Sequence, residues 1–237
     1  MNISFTPIGF IQSCFKEKFA VPRQPGLAPH ATATLTLVAP FNQSEAVEGL
    51  EAASHIWIQF IFHECIDRGW QAKVRPPRLG GNKKVGVFAT RSTHRPNPIG
   101  LSVVKLESIE TGPEKVVLHL SGIDLIDGTP VLDIKPYIPY SDSLPEARHS
   151  FAGEEPSAIE VNFSAAALAQ LQAWPDKNYQ ALIVEVLAQD PKPAYQKPDP
   201  QRLYGVLLGE GNVQWRYVDN AIVVESIGYP SAPCHDV

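Results

Sequence analysis

The sequence has few of the features that mark several common protein classes. Its three cysteines, Cys14, Cys65 and Cys234, are widely spaced and form no C-x-x-C pair. Thiols this few and scattered indicate neither a disulfide framework nor a zinc finger. The longest strongly apolar run, residues 55–63, is interrupted by Gln59 and is too short to span a bilayer. We therefore predict neither a metal site nor a membrane segment.

Motifs for common cofactors and nucleophiles are also missing. Neither G-x-G-x-x-G nor a Walker loop occurs, and no helical pattern follows the glycine-rich residues 80–84. The sequence therefore does not favour a Rossmann-type nucleotide enzyme. Ser92 and Ser102 lack the G-x-S-x-G context of a hydrolase nucleophile. The first ten residues show no basic n-region or apolar signal core, which predicts a cytoplasmic protein.

Positive charge is scarce and unevenly distributed. The chain holds 20 Lys and Arg against 25 Asp and Glu, a net charge of −5. Eight of the basic residues fall within residues 68–95, which contain no acidic residue. Such a concentration of positive charge in an acidic protein favours an anionic partner, because focused potential raises its local concentration and its association rate.

Within this cationic segment, Arg91 and Arg95 lie on a short loop that Pro96 and Pro98 stiffen. The loop could be a rigid surface turn with solvated arginines. Alternatively, the prolines remove loop entropy and hold both guanidinium groups ready for a carboxylate, phosphate or base edge. The surrounding density of cations favours the second interpretation.

Short β-branched segments separated by turns predict a mainly β fold, a barrel or sandwich, for the first part of the chain. The predicted strands cover residues 3–15, 32–38, 55–63, 85–90, 100–109, 115–120 and 131–137. Residues 42–50 predict one short helix.

A polar stretch at residues 141–156 predicts a domain boundary, with domains at 1–145 and 155–237. The second domain is predicted to be small and α+β. Its expected elements are a strand at 158–163, a helix at 164–173 capped by Ser164, a helix at 179–187 and strands at 202–208, 212–218 and 221–227.

Two further polar groups are candidates for chemistry. Asp133, Lys135 and Tyr137 share one face of a predicted strand, and we expect them to line a polar cavity, because these groups are costly to bury. Residues 189–195, which include Asp190, form a proline-stiffened loop that is either a presented surface or a plain linker.

Several longer stretches resemble the TrmO (YaeB) family of bacterial S-adenosylmethionine-dependent tRNA methyltransferases. They are residues 19–26 (FAVPRQPG), 75–82 (RPPRLGGN), 86–91 (GVFATR), 95–100 (RPNPIG), 124–130 (DLIDGTP), 133–137 (DIKPY) and 188–195 (AQDPKPAY). The resemblance implies a β-barrel enzyme, working as a homodimer, that methylates N6 of threonylcarbamoyl-adenosine at position 37 of tRNA.

The same resemblance implies a set of site residues. Those for S-adenosylmethionine are Pro22, Arg23, Gln24, His63, Glu64, Arg91, Leu101, Leu125, Ile126, Asp127, Gly128 and Thr129. As hypotheses, Asp133 or Asp190 accepts the proton of N6 and Tyr137 orients the base. The residues expected to bind RNA are Arg75, Arg78, Lys83, Lys84 and Arg95.

Two other functions compete with this one. The first is a non-catalytic RNA-binding module, in which the cationic segment holds phosphates without chemistry. The second is an enzyme for small anions that uses Arg91 and Arg95 as a carboxylate clamp.

Overall fold

A computed structural model describes residues 3–192, 196 and 198–230 of the chain. Its strands are β1 (Gly9–Ser13), β2 (Thr32–Leu37), β3 (His55–Ile61), β4 (Lys73–Val74), β5 (Val85–Gly86), β6 (Ile99–Gly112), β7 (Lys115–Ser121), β8 (Pro130–Pro136), β9 (Val161–Phe163), β10 (Tyr204–Leu208), β11 (Gly211–Val218) and β12 (Ala221–Gly228). The α-helices are α1 (Pro139–Asp142), α2 (Ala165–Gln172) and α3 (Tyr179–Leu187). The mainly β prediction is confirmed.

Six antiparallel strands close into a barrel in the order β1-β2-β7-β6-β3-β8. Alternate residues of each strand point inwards, as the period of two requires. Ile58, for example, is fully buried and pairs with Ser102 on β6 and with Ile134 on β8. Gly100 faces the ring of Phe60, and a Cβ there would lie 2.2 Å from that ring, so only glycine fits.

Three of the predicted elements in this part are wrong in extent or type. The strand predicted at 3–15 is reduced to β1, because Pro7 has no N–H to donate to a ladder. The helix predicted at 42–50 is instead two 3₁₀ turns, Ser44–Val47 and Leu50–Ala52, separated by Gly49 at φ +85°. The strand predicted at 85–90 ends at Gly86.

Between β3 and β6 the chain leaves the barrel and returns to it, forming what we call the cationic lobe (residues 62–98). The N–H of Phe62 donates to the carbonyl of Pro98 at 2.8 Å and closes the base of the lobe. Inside it, β4 pairs with β5, and a 3₁₀ turn, Val87–Ala89, follows directly. These contacts give a segment rich in proline and glycine a defined shape.

The remaining strands form a second sheet in the order β10-β11-β12-β9, flanked by α2 and α3. Ser164 caps α2 as predicted, because its hydroxyl accepts from the N–H of Ala167 at 3.1 Å. The division into domains 1–145 and 155–237 stays a prediction.

The two sheets contact each other through a continuous hydrophobic core. Phe15 forms an isolated bridge with Leu208, and the N–H of Gly209 donates to the carbonyl of Cys14 at 2.7 Å. Among the described residues, none of the helices combines the length and the apolar character needed to cross a membrane.

Candidate functional site

One loop, residues 16–26, connects most of the stretches expected to bind the cofactor; we call it the connecting loop. Its polar contacts to other stretches include Lys16 Nζ to Asp127 Oδ2 at 3.1 Å, Lys18 Nζ to Glu64 Oε2 at 3.1 Å, Gln24 Oε1 accepting from Arg91 Nη1, and Gly26 N to Gly122 O at 2.8 Å. The loop therefore links Pro22, Arg23 and Gln24 with the stretches that carry Glu64, Arg91 and Asp127. His63 precedes Glu64 and begins the 3₁₀ turn His63–Arg68.

Packing holds the connecting loop in place. Pro22 is buried, and the ring of Phe19 stacks on Trp215 of the second sheet at a centroid distance of 6.0 Å. With its backbone restricted by Pro22 and Pro25, the loop presents Gln24 to Arg91 at little further entropic cost.

Asp124 lies directly before the turn at residues 125–129, and its carboxyl group is largely buried. Burial raises the pKa of its carboxyl group to about 6, against the opposing effects of a hydrogen bond from Ser102, its own backbone N–H and the positive charge of Arg91. Its Oδ1 atom is buried and has no hydrogen-bond partner among the described residues. A buried carboxylate oxygen without a donor is costly, which marks this atom as a site for a ligand's donor group.

The turn after Asp124 is fastened to β1. Asp127 Oδ1 accepts from the N–H of Ser13 at 2.8 Å, and the N–H of Gly128 donates to Ile11 at 2.8 Å. The side chain of Leu125 is buried in the core, and the hydroxyl of Thr129 donates to the carbonyl of Ile126 at 2.6 Å. Most side chains and most backbone groups of this turn therefore hold its shape, which leaves the side chain of Ile126 as its main contact group.

The structure does not bring Leu101 to the stretches that meet at the connecting loop. Its neighbour Ser102 points into the barrel, so Leu101 points outwards, where it is 52% exposed. On the outer surface it stands in register with Gln59 of β3, which in turn pairs with Asp133 of β8. Leu101 and Asp133 thus belong to one row across three neighbouring strands.

The polar cavity expected around Asp133 is not what the structure shows. Asp133 and Lys135 form an ion pair at 2.5 Å, and their side chains are 46% and 60% exposed. Tyr137 follows on the same outer surface, 5.9 Å between ring centroids from Trp57. The prediction that these residues share a face is correct. They face solvent because β8 is open on the outside of the barrel.

Asp190 is the alternative proton acceptor. It follows α3 and contacts the second sheet. Its Oδ1 accepts from the hydroxyl of Tyr217 at 2.8 Å, and its Oδ2 pairs with Lys192, which is 9% exposed. No contact among the described residues joins Asp190 to Asp133. Residues 193–195, the end of the predicted loop 189–195, lie outside the described residues.

The residues expected to bind RNA fall into two groups. Arg75, Arg78, Lys83 and Lys84 are exposed on the cationic lobe. Arg95 is half-buried instead, and its Nη1 donates to the carbonyls of Thr90 at 2.7 Å and of Val87 at 3.4 Å. Its guanidinium group therefore stabilises the lobe.

Sequence reasoning missed Asp124 and Ser102 as site residues. Asp124 stands in the stretch 124–130 that carries the resemblance, and the alternating pattern of β6 points Ser102 inwards. Neither signal shows that the two side chains meet, because that contact depends on how the barrel closes.

A closed antiparallel barrel, with a buried carboxyl group near an arginine and a cationic lobe that carries no acid within residues 68–95, defines a β-barrel enzyme for an anionic substrate. Residues 10–143 match the tRNA-methyltransferase O N-terminal domain, and residues 156–229 match the TrmO C-terminal domain. The chain belongs to the TrmO family.

Individual relatives match over nearly the full length. The tRNA (adenine(37)-N6)-methyltransferase of Escherichia coli is 52% identical over 223 residues, which cover 92% of this chain and 94% of the relative. RcsF of Pseudomonas aeruginosa, whose name proposes an S-adenosylmethionine-dependent methyltransferase, is 56% identical over 220 residues, 92% of this chain and 94% of that protein. A crystal structure of TrmO from Pseudomonas aeruginosa has a TM-score of 0.80 at 46% identity and covers 96% of this chain and 99% of its own.

The residues present fit S-adenosylmethionine, which carries an ammonium group, a carboxylate and an adenine amino group. The free Oδ1 of Asp124 is an acceptor for one of the donor groups. Arg91 supplies a guanidinium group of the type that binds carboxylates. Within the described residues no group of three His, Cys, Asp or Glu side chains is arranged to hold a metal ion.

Proposed function

We propose that this protein is an S-adenosylmethionine-dependent methyltransferase that modifies N6 of adenosine 37 in tRNA, and that its substrate nucleoside is threonylcarbamoyl-adenosine. The observation that carries the proposal is the family match over both halves of the chain. The structure supports it, because most of the stretches expected to hold the cofactor meet at the connecting loop beside the cationic lobe, whose residues 68–95 contain no acid.

The cofactor supplies an electrophilic methyl group. The protein's own residues bind and orient it: Arg91 and Gln24 on one side and Asp124 with Ser102 on the other, with the turn at residues 125–129 supplying the side chain of Ile126. Held by bonds to β1, this turn does not need to reorganise when a ligand arrives, which lowers the cost of binding.

Asp133 is our proposed acceptor of the N6 proton, and Tyr137 is proposed to orient the base. Asp133 is the more accessible of the two candidate carboxylates, on the outer barrel surface in the row of Leu101. Asp190 has both carboxylate oxygens occupied by Tyr217 and Lys192, so we propose that it acts by holding the loop that follows α3.

We also propose that two copies associate, and that the protein works in the cytoplasm where its tRNA substrate is found. The outward side chains of Ile99 and Leu101, 37% and 52% exposed, give β6 an apolar patch on its outer face that supports association. Light scattering on the purified protein tests this, with twice the chain mass as the expected result and the single-chain mass as the contradicting one.

The reaction is tested by mass spectrometry of tRNA nucleosides. A strain that lacks this gene should accumulate threonylcarbamoyl-adenosine without the N6 methyl group, and the intact gene should restore the methylated nucleoside. Unchanged methylation in the deletion strain would refute the proposed reaction. Purified protein, cofactor and tRNA from the deletion strain provide the matching test in vitro.

A further inference from the structure

The cationic lobe carries an exposed aromatic ring to which the proposed function gives no role. Phe88 is 74% exposed, whereas the preceding residue, Val87, is buried. The 3₁₀ turn Val87–Ala89 produces this arrangement, because it directs Val87 inwards and Phe88 towards solvent. A phenyl ring this open is available to stack against a flat group of a partner.

Arg95 stands against this ring. Its guanidinium carbon lies 5.7 Å from the ring centroid of Phe88, within the range of a cation–π contact. The same guanidinium is fixed by its bonds to the carbonyls of Thr90 and Val87. Phe88 and Arg95 therefore form a pre-arranged unit, which we call the stacking platform, and most of the ring remains accessible.

The surroundings of the platform favour a nucleic acid over an apolar protein surface. Residues 68–95 contain eight cations and no acid, and Arg75, Arg78, Lys83 and Lys84 are exposed. Trp70 on the same lobe is 57% exposed. Exposed aromatic rings among phosphate-binding cations are the composition of surfaces that hold unpaired nucleotides, where bases stack on rings and cations follow the backbone.

We propose that Phe88, backed by Arg95, stacks on an unpaired base of the tRNA anticodon loop. This inference rests on the proposed function and adds a residue for recognising the substrate. Arg91, three residues further along, donates to Gln24 of the connecting loop. A base on the platform is consequently held close to the residues proposed for the cofactor, as enzymes that modify a base require once it has left its stack.

The test is the affinity of an RNA stem-loop with the anticodon-loop sequence for wild type, Phe88→Ala, Phe88→Leu and Phe88→Trp. Loss of one stacked base should weaken binding about 5- to 150-fold in the Ala and Leu variants, while Trp keeps the affinity. The salt dependence of binding should not change in any of them, because no phosphate contact is removed.

Three controls identify other roles of the ring. A Leu variant that binds as tightly as wild type would overturn the proposal, because stacking would not be needed. A loss of S-adenosylhomocysteine affinity in Phe88→Ala would assign the ring to the cofactor, and a change of oligomeric mass would assign it to a second copy; either result overturns the inference. If wild type binds neither the stem-loop nor whole tRNA, the proposed function fails together with the inference. If wild type binds and the variants give one of the contrary results above, only the inference fails.

Discussion

At the scale of single residues, the buried Asp124 destabilises the folded protein, and we propose that it binds the cofactor. Its burial favours the neutral form, so the folded protein holds a proton there more tightly than the unfolded chain does. Residues whose placement weakens the fold while serving a ligand are common at functional sites.

The first prediction concerns the stability of Asp124→Asn. The pKa rises from 3.8 to about 6 on folding, so the penalty is absent below pH 4, grows between pH 4 and 6 and is complete above pH 6. Above pH 6 the penalty to the free energy of unfolding amounts to about 3 kcal/mol. Without ligand, the variant should therefore unfold at a higher temperature than wild type at pH 8, and the difference should shrink as pH falls to 4. A difference independent of pH would contradict this.

The second prediction concerns ligand affinity measured by calorimetry. If the free Oδ1 of Asp124 accepts from a donor group of the cofactor, Asp124→Asn should bind S-adenosylhomocysteine about 10-fold or more weakly. Wild-type affinity should also fall as pH drops through 6, and the variant should lose that dependence. Asp133→Asn, on the outer surface, is the matched control and should bind as wild type does. Equal affinities for all three would remove Asp124 from the site.

The third prediction separates the two candidate proton acceptors by stability. Asp190→Ala leaves the buried Lys192 without its carboxylate and should lower the free energy of unfolding by about 3 kcal/mol. Asp133→Ala breaks an exposed pair and should change it by less than about 1 kcal/mol. Denaturant titration checks both. A stable Asp190→Ala protein without methylation activity would restore Asp190 as a catalytic candidate.

At the scale of elements, the cationic lobe has a charge pattern that is visible in the sequence, with eight cations within residues 68–95. The fourth prediction concerns two of these cations, Lys83 and Lys84, which are both exposed. If each contacts a phosphate, Lys83→Ala/Lys84→Ala should weaken tRNA binding and reduce the slope of log affinity against log salt by about 1.4 to 1.8. The matched control is Lys105→Ala/Lys115→Ala, which removes two cations of the barrel. An equal loss of slope in both variants would show a general charge effect.

The elements that the sequence predicted correctly are those with strong local signals. β3, β7 and α2 follow from alternation or from a cap, and the turn at residues 125–129 follows from Asp127-Gly128. The strand predicted at 85–90 is too long. The end of β5 depends on its pairing with β4 and on the bonds of Arg95, which are tertiary contacts that local sequence does not show. The bond between Gln24 and Arg91, and the effect of the Arg91 charge on the pKa of Asp124, involve three distant stretches, and local sequence carries no information on either.

At the scale of the whole molecule, the barrel and the second sheet are joined by one core. The fifth prediction is a single calorimetric unfolding transition for the wild type. Phe15→Ala removes a ring that is 2% exposed at the junction and should destabilise the protein by about 3–5 kcal/mol. Two wild-type transitions, of which Phe15→Ala moves only one, would show that the two parts unfold independently.

The stack of Phe19 on Trp215 has a practical consequence. Trp215 is fully buried in the second sheet, yet its ring neighbour belongs to the loop that also presents Gln24 to Arg91. A ligand that shifts this loop should change the surroundings of the indole. In a variant that keeps Trp215 as its only tryptophan, the fluorescence should therefore report binding in the other half of the molecule.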